Sequence, residues 1–401
     1  MKKKETLQEK LARRKYKRPN KFLYKALNKV VIKPFLAPKY NPHYEIIDDI
    51  NECEGPCFLI YNHQSRIDYV WITQATYPKR INFVVGYNEF FRGHLQFIFK
   101  LIHNIPKKNF NSDVACIRGM NQIIKQKGVV CFSPEGMSSI TGHNQPVATG
   151  TGKLLKHYNI PVYCLKTRGG FLTNHKVCLD ERKGRVDATL YKLFTPEDLE
   201  KLTPEEIELK CDEALWQDDY EWNKKERIKF NTKGRPCEHL HDLCYRCPRC
   251  GEELTMIGKD NYIKCNKCGN GATMNDYYDF IPFDETCVIP NTQTEWFNLE
   301  RKLAEIEIKD PNFKLTEKVK LGMLPKYELL KDQKTSEIVG EGIITLDHSG
   351  LTYNGTCNNE PFTFHLNITE IPTYGMCTDL SRFYTFYRGE FMEFYPENST
   401  V

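Results

Sequence analysis

Three stretches of this 401-residue sequence carry side chains suited to chemistry. Asn62-His63-Gln64-Ser65-Arg66-Ile67-Asp68 sets a histidine five residues before an aspartate, and Ser133-Pro134-Glu135-Gly136-Met137-Ser138-Ser139 offers a glutamate and a glycine in a turn. Cys247-Pro248-Arg249-Cys250 and Cys265-Asn266-Lys267-Cys268 are two C-x-x-C pairs separated by Gly251 to Lys264. A histidine held at one ring nitrogen by a carboxylate is an oriented general base, able to take the proton of an alcohol as it attacks a carbonyl. The spacing alone is weak, because His43 with Asp48 and His175 with Asp180 repeat it. Only His63 follows an apolar run, has Asn62 and Ser65 beside it, and has a second reactive turn downstream. The four cysteines suit tetrahedral Zn²⁺, with chance cysteines or a redox pair as the alternative. Gly251 and Gly269 let the backbone turn toward the sulfurs, and a four-thiolate site leaves no open position, so the metal would be structural.

These groups converge only if the chain folds to bring them together. Short apolar runs at 57–61, 81–85, 129–132 and 160–165 alternate with helical stretches, the pattern of a mostly parallel sheet with flanking helices. His63 and Glu135 each follow such a run, at the carboxyl ends where open α/β sheets present their sites. Positions five apart diverge by about 140° on a straight helix, so His63 must lie in the turn and Asp68 in the first helical turn. The N–H groups at that helix start suit a phosphate or an oxyanion. A helix is expected from Gly119 to Gly128, because Met120, Ile123 and Ile124 share a face and glycine is a common stop. Thr195-Pro196-Glu197 and Thr203-Pro204-Glu205-Glu206 each read as a capped helix start.

Asn62-His63-x-x-x-x-Asp68 followed by Pro134-Glu135-Gly136 resembles the glycerolipid acyltransferase family that includes 1-acylglycerol-3-phosphate acyltransferase, over roughly half the chain. The resemblance implies that His63 deprotonates a glycerol hydroxyl, that Asp68 orients it, and that an acyl thioester on coenzyme A or acyl carrier protein is the donor. It implies a lysophospholipid acceptor held by Glu135 and Gly136, and Asn62, Ser65 and Arg66 beside the dyad are expected to bind substrate as well. Ile160-Pro161-Val162 resembles the family's later strand on the acyl-chain side. The family's usual P-E-G-T-R-S stands here as Pro134-Glu135-Gly136-Met137-Ser138-Ser139, so its arginine is missing, as is that of the second motif. Lys107 and Lys108 occupy that neighbourhood and would supply charge without a guanidinium's fork.

Charge and composition place the enzyme reading on a surface. Net charge is +5, but the first 39 residues hold 14 Lys and Arg against two Glu, or +12, leaving −7 for the rest. Leu7, Leu11, Phe22, Leu23, Leu27, Val30 and Val31 recur among the lysines at helical spacings. Two basic amphipathic helices, interrupted at Pro19 and stopped at Pro34, are expected to lie on an anionic membrane surface, the alternative being a solvated tail. No apolar run reaches the roughly 18 residues a membrane span needs, and the start lacks a secretory signal's apolar core. Sixteen cysteines without a regular framework fit a reducing compartment, so the expectation is a cytoplasmic protein peripheral to the membrane face. The rival reading is a zinc-ribbon nucleic-acid binder using the arm with Arg246, Arg249, Lys264 and Lys267 on a degenerate scaffold; the acidic body and the absence of interleaved aromatics weigh against it. Four regions follow: an arm at 1–40, an acyltransferase domain at 41–230, a zinc ribbon at 237–280, and a β-rich domain at 290–401. A helix near 296–306 opens the last, whose strands weakly resemble a pleckstrin-homology or GRAM-like module.

Overall fold

A computed structural model describes residues 4–371, 373–377 and 379–398; Met1, Lys2 and Lys3 of the basic arm lie outside the described residues. Seven strands form the first sheet: β1 (Pro42–Ile46), β2 (Cys57–Tyr61), β3 (Ile81–Gly86), β4 (Ile105–Lys107), β5 (Val129–Phe132), β6 (Val162–Arg168) and β7 (Val186–Phe194). Their order is β1-β7-β6-β2-β5-β3-β4. From β6 to β4 all neighbours are parallel; β7 pairs antiparallel with β6, and β1 runs parallel to β7. The central strands β2 and β5 are buried along their whole length because both sheet faces are covered. Cys57, Leu59 and Tyr61 pack on one face with Trp71 and Ile72, while Phe58 and Ile60 pack on the other with Ile123, Leu155 and Ile207.

β1, β4 and β7 go beyond the strands expected from the sequence. β7 buries Val186, Ala188 and Leu190 on one face, with Thr189 buried between the last two. The helix expected from Gly119 starts earlier, at Val114, and ends at Ile124. Asp113 sets that start, its carboxylate accepting the Cys116 N–H at 2.9 Å. Gly119 instead lies inside the helix, where a Cβ would stand 2.8 Å from Ile105 Cγ2, so its lack of a side chain allows close approach to β4. The two Thr-Pro starts are helices Pro196–Lys201 and Pro204–Leu215, each with a complete capping box.

The basic arm is held against this domain. Helix Leu7–Ala12 leads to an extended strap in which the Tyr16 N–H donates to Gln122 Oε1 at 2.6 Å, and Tyr16 is buried among Ile105, Cys116 and Met120. Helix Lys21–Leu27 continues as a widened helix over Asn28–Leu36. Pro34 therefore does not stop the helix; the i→i+5 pattern of a π-helix contains it. Tyr24 and Ile32 are buried, whereas Phe22 (81% exposed), Leu23, Val30, Val31 and Phe35 (66%) face outward among lysines.

Two smaller sheets complete the chain. β8 (Met256–Lys259), β9 (Tyr262–Cys265), β10 (Gly271–Met274) and β11 (Phe280–Pro282) form an antiparallel ribbon in the order β11-β10-β9-β8. Its Cys247, Met256, Ile263 and Cys265 share one core with Phe171, Leu172 and Tyr220 of the first domain and with Trp296 of helix Gln293–Glu307. The C-terminal sheet is antiparallel throughout: β12 (Lys314–Met323), β13 (Glu337–Asp347), β14 (Gly350–Cys357), β15 (Glu360–Asn367), β16 (Gly375–Met376), β17 (Phe383–Tyr387) and β18 (Glu390–Pro396), in the order β15-β14-β13-β12-β18-β17-β16. The turns expected at Asp347-His348-Ser349-Gly350 and Arg388-Gly389-Glu390 join β13 to β14 and β17 to β18.

Candidate active site

β2 and β5 are adjacent, with Ile60 opposite Phe132, so the loops after them leave the sheet side by side. The chain passes from β2 through Asn62 and His63 into a turn, and helix Tyr69–Thr76 begins directly after Asp68. His63 Nδ1 stands 2.7 Å from Asp68 Oδ2, and that oxygen also accepts the Ser65 N–H at 3.2 Å. The contact forms because His63 is in the turn and Asp68 at the helix edge. Burial raises the pKa of Asp68, opposed by its hydrogen bond and charge interaction with His63. Nδ1 is thereby engaged, and Nε2 has no protein partner among the described residues, while the ring stays partly exposed. An imidazole so held presents Nε2 to a proton on a bound group.

The second loop fixes the first. Glu135 Oε1 accepts the His63 N–H at 2.9 Å, its Oε2 accepts the Gln145 N–H at 2.9 Å, and Ser139 N–H donates to His63 O at 2.7 Å. The main chain of His63 is clamped on both sides. Glu135 is 2% exposed, and burial pushes its pKa up to about 8 against the two N–H bonds. Gly136 adopts φ +77°, and a Cβ there would meet Phe110 Cε1 at 2.7 Å, so the turn needs glycine.

The family model for acyltransferases matches residues 41–166, which contain the sheet's β1 to β5, the His63–Asp68 pair and the Glu135 loop. Residues 41–166 are thus similar to the acyltransferase family. Among solved structures the chain is similar to the 1-acyl-sn-glycerophosphate acyltransferase PlsC of Thermotoga maritima, at 14% identity and a TM-score of 0.40, covering 51% of this chain and 80% of that one. Comparison with curated protein sequences gives no match.

Several residues expected at the acyltransferase acceptor site have other surroundings. Asn62 is fully buried and extends the sheet, its side chain exchanging two 2.7 Å bonds with the Thr167 main chain of β6. Ser65 is buried in the turn, its N–H on Asp68 and its Oγ accepting from the Ile67 N–H at 3.3 Å. Glu135 is buried, and its two carboxylate oxygens are taken up by the His63 and Gln145 N–H groups. Lys107 Nζ donates to Lys108 O at 2.5 Å and Asn111 O at 2.6 Å. Lys108 Nζ reaches Gly389 O at 2.5 Å in the C-terminal sheet and lies over the Tyr87 ring at 5.0 Å. Neither lysine hydrogen-bonds to the His63 loop. Arg66 is exposed and donates to Leu179 O at 2.6 Å. Lys176, which no sequence signal singled out, reaches the Glu135 loop at Ser138 Oγ, 2.7 Å away, across 38 residues of chain.

The ribbon cysteines do come together. Cys247, Cys250, Cys265 and Cys268 place their sulfurs within 4.8 Å of one another, with Cys247–Cys268 at 3.6 Å and Cys250–Cys265 at 3.9 Å. A tetrahedron with Zn–S bonds of about 2.3 Å has edges of about 3.8 Å. Gly251 and Gly269 take φ of +74° and +76°, as the two turns require. Asn270 Nδ2 lies 3.6 Å from Cys247 Sγ, and Thr255 Oγ lies 3.2 Å from Cys265 Sγ, donors suited to thiolate sulfur. The group is compatible with a structural metal.

Proposed function

We propose that this acyltransferase moves a fatty acyl group from an acyl thioester to the free hydroxyl of a lysophospholipid, with 1-acylglycerol 3-phosphate giving phosphatidic acid as the leading reaction. The observation that carries the reading is the 2.7 Å His63–Asp68 contact at the end of β2, with Nε2 left for a substrate proton. His63 takes the hydroxyl proton as the oxygen attacks the thioester carbonyl; the C–S bond breaks, and the departing sulfur receives the proton from His63. Asp68 orients the ring and stabilises the imidazolium formed on the way. Glu135 and Ser139 act through the main chain of His63 and are positioning residues. The thioester of coenzyme A and that of a carrier protein present the same reacting bond.

The four ribbon cysteines would hold structural Zn²⁺, whose bonds to thiolate would tie the ribbon into the core shared with Phe171 and Tyr220. The outward apolar residues Phe22, Val30 and Phe35, set among Lys21, Lys25, Lys29 and Lys33, would dock on an anionic membrane surface at the cytoplasmic face. Among the described residues no helix is long and apolar enough to cross a membrane. The nucleic-acid reading has less support, since Arg246 is paired with Glu253 and Glu307, and Lys267 with Glu252. Incubating the full chain with acyl-CoA and 1-acylglycerol 3-phosphate and identifying the lipid product by mass spectrometry tests the substrate assignment. Phosphatidic acid is expected; free fatty acid alone would contradict it.

A further inference from the structure

A lysophospholipid acceptor carries an anionic headgroup, yet the lysines at 107 and 108 spend their ammonium groups on main-chain carbonyls. Two cations are buried among the described residues, Arg182 and Lys176. Arg182 is committed to the ribbon side, donating to Tyr278 Oη at 3.1 Å and Arg235 O at 2.9 Å. Lys176 is 5% exposed, and its only hydrogen-bond acceptor among the described residues is Ser138 Oγ, at 2.7 Å. An ammonium has three N–H donors, and burying one without a paired anion is unfavourable unless something else gains from it.

Ser138 is partly exposed and adjoins Ser139, whose N–H holds His63 O. Its hydroxyl oxygen takes the Lys176 bond, and its hydrogen has no acceptor among the described residues. We infer that Ser138 and Lys176 form a relay that recognises the phosphate of the acceptor: the buried ammonium polarises the hydroxyl, and the hydroxyl donates to a phosphate oxygen beside His63. The inference rests on the lysophospholipid reading above. A hydroxyl that accepts from a cation is a stronger donor, and low local dielectric lets the buried charge act on an anion one group away. The relay places a positive charge behind Ser138, where the family's arginine is absent.

The groups that surround Lys176 electrostatically are Cys377 and Asp379 of the C-terminal segment and Arg66 of the dyad loop. Burial lowers the pKa of Lys176 to about 8, which Cys377 and Asp379 oppose and Arg66 reinforces. Burial pushes Cys377 up to about 11, while Asp379, despite burial, is held down at about 2 by its bonds from Cys377 and Ser381. Neither changes charge near pH 8, but Glu135, three residues before Ser138, does, so loss of the ammonium is read as the difference between wild type and K176R, which share Glu135.

The test uses the full-length protein and the variants K176M, S138A, K176R and K176M/S138R, compared with 1-acylglycerol 3-phosphate and with a neutral monoacylglycerol as acceptors. One charge-assisted hydrogen bond predicts that K176M and S138A lower the phosphate-over-neutral selectivity by about 10- to 100-fold, through acceptor KM rather than donor KM. K176M/S138R should recover selectivity by putting a guanidinium at the relay's outer end. Wild-type selectivity should fall as pH rises through about 8, and K176R should retain it. Equal losses on both acceptors, or unchanged selectivity in K176M, would overturn the relay. Calorimetric titration of wild type and K176M with inorganic phosphate and with glycerol 3-phosphate separates this from the substrate reading. Weaker binding in K176M supports the relay even if no lysophospholipid is acylated, and equal binding refutes it even if turnover is seen. Competition by glycerol 3-phosphate but not by inorganic phosphate would mark a lipid headgroup site, and the reverse a free-phosphate site, which would refute recognition of the acceptor.

Discussion

Replacing Asp68 with asparagine removes one charge while keeping the shape of the site. Asp68 Oδ2 accepts from both His63 Nδ1 and the Ser65 N–H, so in D68N the amide oxygen is drawn to that position, because a turned amide would set its NH₂ against the Ser65 N–H. The His63 ring then keeps its orientation and its tautomer, and the loss is electrostatic. A unit pair about 4 Å apart at an effective dielectric of about 20 interacts by about 4 kcal/mol, and each 1.36 kcal/mol is about a factor of ten in rate. The amide dipole returns part of this, so D68N should lower kcat by about 10²- to 10³-fold, with KM for donor and acceptor within about threefold. D68A should lose more, since it also frees the ring and leaves the Ser65 N–H without its acceptor. The assay is initial-rate thiol release from acyl-CoA at saturating acceptor, with far-UV circular dichroism and melting as folding controls. A folded D68N enzyme within about threefold of wild-type kcat would show that the Asp68 charge does not stabilise the imidazolium.

Three further outcomes follow from the same geometry. E135Q keeps only one of the two carboxylate-to-N–H bonds beneath His63 and turns an amide NH₂ toward the other donor, so stability should fall by about 1–3 kcal/mol in denaturant titration; kcat should fall while acceptor KM holds, and a selective rise in acceptor KM would return Glu135 to the acceptor-holding role. Chelation, or Cys265→Ala, should remove one equivalent of zinc by elemental analysis and lower the melting temperature, because Cys247 and Cys265 lie in the core shared with Phe171 and Tyr220; an unchanged melting curve would contradict a structural metal. Phe22→Ser with Phe35→Ser should weaken sedimentation with anionic vesicles while leaving turnover of a short-chain soluble acceptor intact, and unaltered sedimentation would count against docking through the arm.

The His63–Asp68 contact is readable because its signals are local. An apolar run with glycine or proline around it predicts a buried strand, and β2 and β5 begin and end at the expected residues. His63 and Asp68 lie close in sequence, so placing one in the turn and the other at the helix edge follows from helical geometry. The cysteine group is readable for the same reason, since each C-x-x-C is a self-contained turn. What the sequence does not disclose depends on distant partners. Asn62 and Ser65 look like site residues beside the histidine, but Thr167 is 105 positions away and takes up the Asn62 side chain. Lys107 and Lys108 sit where charge is wanted, yet a loop of β4 and the turn before β18 consume them. Lys176 lies in a stretch with no motif, and only the fold brings it behind Ser138. Pro34 reads as a stop because the ordinary helix excludes it, whereas the widened helix over Asn28–Leu36 contains it.

His63 is proposed as the general base of an acyl transfer to a lipid hydroxyl. Thiol release from acyl-CoA by the full chain and by His63→Ala, each with and without 1-acylglycerol 3-phosphate, tests it most directly. Release is expected to need both the acceptor and His63, with the variant folded. Release by folded His63→Ala at the wild-type rate would contradict it.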